Sequence, residues 1–392
     1  MHLSKFLYSQ SCNGLAKVNT DLSKNPILKW EISLPSNPSY GIETMAVWDK
    51  EGNIYLGCHN GTLYSLTSGG EIRFTFQTDY KIYSTPLILD DNVYFCSGDG
   101  FVYSITTKGK LRWKTQISNA KLIGKQKSIL QKLAAKLLGK KIPKKSIGTI
   151  RTWASLNIDY TNRLFINTAN SGLVVLNLEG KIVNNIKCKY KYPLAGVSFF
   201  DDNTFVVPDQ KRFLYKYNSG FSLQWVIDLG QYDIWTNPVT HKNKVYVAAT
   251  KSNSSLVNCY TSNGELLWTK SFRCELRGGL SVNNKGVIVP LFNGDLNLLD
   301  KYSGNIIFKI NLHLGDRVLW TTAISDLNDN LYVAVRTSRT DGKITIISSD
   351  GKILHTIQTG KTLSPPAIDQ QMNMFFGDWN GSYFKYKLFT NE

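Results

Sequence analysis

Asn92-Val93-Tyr94-Phe95, a turn at Asp99-Gly100, Phe101-Val102-Tyr103-Ser104-Ile105, a second turn closing at Gly109, and Trp113 four residues further on together make one unit of a repeat. Aromatic and β-branched residues fill the two runs, and Asp-Gly marks a tight hairpin turn, so the stretch reads as consecutive short antiparallel strands. The leading tetrapeptide, a polar or small residue followed by three strand formers, recurs with first residues Asn53, Asn92, Arg163, Thr204, Lys244, Gly286, Asn330 and Asn373. Successive copies start 39, 71, 41, 40, 42, 44 and 43 residues apart, so the single outlier is a normal period plus about 30 inserted residues. The closing glycine and aromatic recur as Gly70 and Phe74, Gly264 and Trp268, and Gly304 and Phe308. Gly180 with Asn184 and Gly351 with His355 keep the spacing without the aromatic, and Gly220 with Trp225 is one residue longer.

A period of roughly 40 to 45 residues holding four short strands is the pattern of propeller blades, because one blade cannot bury both of its faces and must stack on its neighbours. The expected fold is all-β: an eight-bladed β-propeller of four-stranded antiparallel blades over residues 25–392, after an N-terminal extension over 1–24. The last period ends at Leu388 without its closing strand, while Pro26-Ile27-Leu28-Lys29-Trp30 is an orphan closing strand. The two are expected to complete one blade and so remove an open sheet edge.

Thr106-Thr107-Lys108-Gly109-Lys110-Leu111-Arg112-Trp113 and Thr261-Ser262-Asn263-Gly264-Glu265-Leu266-Leu267-Trp268 resemble the tryptophan-docking motif of the PQQ-like, quinoprotein-type propeller repeat family. The resemblance covers nearly the whole chain outside the insertion. It speaks to fold more than to function, since the family includes quinoprotein dehydrogenases, outer-membrane assembly lipoproteins and binding modules. The expectation is a non-catalytic member similar in fold to the assembly lipoproteins. The resemblance implies that Trp30, Trp113, Trp225 and Trp268 wedge between adjacent blades, each indole N–H meeting a backbone acceptor.

Propellers bind ligands at the mouth of the central channel, where the loops enter the innermost strands. Those strands are expected to begin near Thr44, Thr85, Thr152, Ala195, Thr236, Gly278, Thr321 and Ser364. At their entries stand Ile42, Tyr83, Arg151, Pro193, Trp235, Leu276, Trp320 and Leu363. Tyr83, Arg151, Trp235 and Trp320 form a candidate ligand- or partner-binding rim suited to a flat or anionic group, against which stands plain packing between blades. The resemblance implies that a dehydrogenase of this family would carry an adjacent cysteine pair and a Ca²⁺ held by acidic and amide side chains. No two cysteines here are adjacent and no acid recurs at the ring positions, so no PQQ, no metal and no catalytic residue is expected. There is no GxSxG or phosphate loop, and the five histidines stand in unrelated contexts.

Cys12, Cys58, Cys96, Cys188, Cys259 and Cys274 show no CxxC spacing and read as thiols in a reducing compartment. No run approaches the roughly 18 apolar residues of a membrane span. Ser9-Gln10-Ser11-Cys12 has the ending of a lipoprotein cleavage site without the apolar segment before it, so neither a signal peptide nor lipidation is expected and the location is read as cytoplasmic.

The net charge of +17 draws the chain to acidic surfaces. About half of it lies in the insertion, 119–147, between the second and third blades, which has nine lysines and no acid. Leu122, Ile129, Leu130, Leu133, Leu137 and Leu138 recur at helical spacing with Lys132, Lys136 and Lys140 on other faces and Lys141 beyond, which predicts a basic amphipathic helix. Its bland alternative is a helix that packs its leucines on the propeller. The leading functional expectation is a non-enzymatic scaffold that engages a partner protein, with an acidic surface favoured, through the face carrying this insertion and the channel rim. An anionic membrane surface is a second candidate partner, nucleic acid a weaker third, and a small-molecule-binding or enzymatic propeller using the rim the alternative function.

Overall fold

Each repeat folds back on itself at its Asn-Gly and Asp-Gly turns, and the resulting meander is a four-stranded antiparallel blade. In this computed structural model, which describes residues 2–34, 41–118, 154–168, 171–187, 195–209 and 211–390, there are eight such blades. Blade 1 runs outward through Val47–Trp48, Ile54–Gly57, Thr62–Leu66 and Ile72–Gln77. Blade 8 is composite: Ala367–Ile368, Asn373–Gly377 and Ser382–Lys387 are completed by Ile27–Ser33 from the other end of the chain, with Trp30 opposite Lys385 and Ser33 opposite Ser382. The two middle strands of a blade are almost wholly buried, as in Ile54–Gly57 and Thr62–Leu66, while outermost strands alternate between exposed and half-buried positions. No helix of the described residues is long and apolar enough to cross a membrane.

Neighbouring blades are joined by a device that depends on one extra residue. Every outermost strand slips register just before the docking position, as between Leu111 and Trp113 or Leu266 and Trp268. Such a bulge bends the strand and re-aims the side chain that follows it, here onto the next blade. The Nε1 of Trp30 donates to Ser68 O at 3.0 Å, Trp113 to Leu178 O at 2.9 Å, Trp225 to Ser262 O at 3.0 Å and Trp268 to Lys301 O at 3.3 Å. Each ring lies on a glycine of that same turn. At Gly180, with φ of +83°, a Cβ would stand 2.5 Å from the Trp113 ring, so both the backbone and the packing demand glycine. At the equivalent place on blade 7, His355 instead meets Leu22 O at 2.8 Å.

The innermost strands begin at Val47, Leu87, Asn157, Ser198, Val239, Ser281, Ile324 and Ala367, two to five residues later than the sequence pattern predicts. The entry residues bond sideways rather than into a ladder: Thr44 Oγ1 donates to Gly57 O, and Thr85 Oγ1 accepts from Met45 N of the neighbouring blade, each at 3.0 Å.

Residues 2–16, expected as part of a plain extension, occupy the central channel and bond to the innermost strand of every blade. Leu3–Ser4 adds a fifth strand to blade 2, with Leu3 opposite Leu89, and Ser4 Oγ accepts from Trp48 N in blade 1 at 3.2 Å. The Gln10 carbonyl accepts from Asn157 Nδ2 in blade 3 at 2.9 Å and from Phe199 N in blade 4 at 3.1 Å. Ser11, Asn13 and Gly14 carbonyls then accept from Thr240, Val282 and Ser325 in blades 5, 6 and 7. The hydroxyl of Tyr8 takes Ile368 N in blade 8 at 2.7 Å. Cys12 is enclosed in this hub, its sulfur 3.6 Å from Nδ2 of both Asn157 and Asn237.

The hub also buries an ammonium group. Lys5 is 2% exposed and donates to Ser9 O, and desolvation pushes its pKa down from 10.5 to about 8. Between those pH values the unfolded chain holds a proton that the folded chain releases. The cost of charging is therefore fully present below pH 8 and fades as pH rises to 10.5. Lys5→Met is expected to raise the melting temperature at neutral pH, with the advantage shrinking through that window. A variant whose advantage is the same at both ends would show that Lys5 is not the source.

Candidate functional site

Two kinds of loop meet at one end of the channel: those running from an outermost strand to the next innermost strand, and the hairpin turns between each blade's two middle strands. Together they line a cavity of about 1250 Å³ whose floor includes Phe6 and Leu7 of the hub, so it is a cup closed from below. Tyr83, Trp235 and Trp320 all line it, each half-buried. Arg151 lies outside the described residues, as do the expected helix over 119–147 and its Lys132, Lys136, Lys140 and Lys141.

Three further aromatic groups come from the hairpin turns. Trp379, His59 and Phe292 each stand immediately before an Asn-Gly pair, Asn380-Gly381, Asn60-Gly61 and Asn293-Gly294. That position, one residue ahead of the turn, is the sequence signal that strand-entry positions alone do not show. His59 lies edge-on to Tyr83, with ring centres 4.6 Å apart, and 5.9 Å from Trp379, making one aromatic wall. Phe292 and Trp320, 4.7 Å apart, make another. The guanidinium of Arg277 covers Trp235 at 3.9 Å, and the Lys361 ammonium sits 3.2 Å from the centre of Trp379.

The charges of the lining are unevenly matched. Glu275 pairs with Arg277 at 3.1 Å, Asp316 with Arg317 at 3.6 Å, and Glu43 lies 3.3 Å from His59 Nε2. Arg273, Arg336 and Lys361 enter no ion pair among the described residues, and Lys361 is held below the ordinary lysine range by burial first and by the charge of Arg336 second. The indole N–H of Trp320, the indole N–H of Trp379 and the Thr236 hydroxyl are enclosed in the wall with no hydrogen-bond partner. Each such group costs about 1–3 kcal/mol until an acceptor or donor reaches it.

With blades, seam, docking motif and cup in place, the chain is similar in fold to PQQ-like β-propellers. The model of outer membrane protein assembly factor BamB matches residues 28–188. BamB from Moraxella catarrhalis shares the fold at a TM-score of 0.67 and 13% identity, covering 93% of this chain and all of that one. The computationally designed Ika8 protein matches with the same score and coverage at 15% identity. Quinohemoprotein alcohol dehydrogenase from Comamonas testosteroni reaches 0.74 at 10% identity, over 99% of this chain and 81% of its own. No curated protein sequence matches the chain.

The likeness to a quinoprotein raises the question of a quinone held with Ca²⁺. The residues present do not fit that group: the three lining carboxylates face a guanidinium or an imidazole. Among the described residues no three His, Cys, Asp or Glu side chains are grouped to hold a metal.

Proposed function

We propose that this protein is a non-catalytic binding propeller that holds a partner protein on the face where the cup opens. The observation that carries the reading is the convergence there of two aromatic walls, a cation-capped Trp235 and three unpaired cations over a closed floor. Aromatic and arginine side chains are the groups that dominate protein interfaces. The match to a family described as an assembly factor for other proteins supports the same role. We take the lysine-rich insertion to belong to the same face, because Ala154, the first described residue after it, lines the cup. Lys132, Lys136, Lys140, Lys141 and Arg151 would then add positive charge beside it. Cys12, Cys96, Cys259 and Cys274 are free thiols, which fits the proposed cytoplasmic setting.

Quantitative affinity purification from cells of its own species, using the wild-type chain and Trp235→Ala/Trp320→Ala as parallel baits, tests the proposal. Proteins recovered by the wild type are expected to fall about tenfold or more with the double variant, the loss typical of two interface anchors. Equal recovery by both baits would overturn it.

A further inference from the structure

We infer that the cup receives an extended, acidic segment of the partner protein, whose carboxylates neutralise Arg273, Arg336 and Lys361 and whose carbonyl oxygens serve the donors in the wall. This rests on the protein-binding reading above and adds the chemistry of the occupant.

Of the five cations in the lining, Arg277 and Arg317 are already matched by Glu275 and Asp316. The other three form no ion pair among the described residues, and two of them crowd one another. Arg336 donates its Nε to Ser338 O at 2.8 Å, while Lys361 rests on the Trp379 ring in place of an anion. Burial first and the charge of Arg336 second hold the Lys361 pKa down, and Glu43, which lies 3.3 Å from His59 Nε2, opposes them only in part. An incoming carboxylate relieves that repulsion.

The remaining demand has the same sign. Lysine, arginine and indole side chains only donate hydrogen bonds, so Arg273, Arg336, Lys361, Trp320 and Trp379 together present donors and no acceptors. A peptide in extended form supplies a carbonyl at every residue as well as its side-chain carboxylates. The size agrees, because about 1250 Å³ exceeds the roughly 300–1,000 Å³ of a site for a drug-sized ligand. Nucleic acid is the other polyanion, yet single strands are bound along basic grooves that track the backbone, and here the floor is closed by Phe6 and Leu7.

The probe is a fluorescein-labelled decapeptide of glutamates around a central tyrosine, read by anisotropy on the whole chain, beside its glutamine analogue and an oligothymidylate of equal charge. The acidic peptide is expected to bind about tenfold or more tighter than the glutamine analogue, and more weakly as salt rises. Arg336→Gln/Lys361→Gln is expected to cost about tenfold, with Arg273→Gln acting in the same direction. Lys50→Gln/Lys352→Gln removes the same charge from turns on the opposite face and is expected to change affinity less than about twofold. Equal binding of the glutamine analogue, equal loss from the opposite-face variant, oligothymidylate binding as tight as the peptide, or no peptide binding at all would each overturn the inference. A natural partner that Arg336→Gln/Lys361→Gln still recovers as well as the wild type would overturn it and leave the scaffold reading standing. Failure to recover any partner with either chain would remove both.

Discussion

Removing residues 1–30 is expected to leave a chain without a cooperative melting transition. Two structures are lost at once. The outermost strand of blade 8 goes, with the Trp30 ring that seats on the turn holding Ser68 and Gly70 of blade 1. The hub goes as well, and with it seven backbone hydrogen bonds between residues 2–18 and the innermost strands or the turns that follow them. At about 1 kcal/mol net for each bond, the hub alone contributes about 7 kcal/mol, on the scale of the 5–15 kcal/mol that holds a typical domain together. Deleting only residues 1–16 keeps the seam and isolates the hub, and a fall in melting temperature of about 10 °C or more is expected. Circular dichroism melts of the two truncations decide the matter. A chain lacking residues 1–30 that melts as sharply and as high as the full protein would refute both assignments.

The second large effect is expected at Trp268. Its ring is 8% exposed, packs 6.0 Å from Tyr246, overlies Gly304 of the next blade and donates to Lys301 O. Truncation to alanine opens a void between blades 5 and 6 and removes one of the two donors to the Lys301 carbonyl, the Tyr246 hydroxyl being the other, at a cost of about 3–5 kcal/mol. Trp268→Phe should cost much less, because Phe74 and Phe308 occupy the same position on blades 1 and 6 against Gly109 and Gly351. Urea denaturation gives both values. A phenylalanine variant as unstable as the alanine variant would show that the hydrogen bond, not the ring, carries the joint.

The blades were legible because their period is dictated by geometry. Gly180 must be glycine for the Trp113 ring to lie on it, so the glycine and its aromatic partner are forced into the sequence at a constant spacing. The seam was legible for a related reason: Leu388 closes an incomplete repeat and Trp30 begins with the missing piece. The hub was not, because Gln10, Ser11, Asn13 and Gly14 act there through main-chain carbonyls, which any residue supplies and no side-chain pattern marks. At the cup, Tyr83, Trp235 and Trp320 stood out as aromatics at repeat-equivalent entries. Trp379, His59 and Phe292 escaped notice because hairpin turns are read for their glycine rather than for the residue that precedes it. Arg336 ends the strand Leu331–Arg336 and Arg273 follows the strand Leu266–Phe272, places where a cation normally faces water and carries no periodic signature.

The hub imposes an order on how this chain is made. Residues 2–33 leave the ribosome before any of their partners exist, and Lys385 and Ile368, which they must meet, are among the last. At about 5–20 residues per second, some 20–80 s of synthesis separate the two ends. Through that interval the strand Ile27–Ser33 has no partner strand, while Leu3–Ser4 can pair with blade 2 once Leu89 has emerged. Only when blade 8 emerges can the ring close and its axle be gripped from all sides, so the final act of folding draws in the part that was made first.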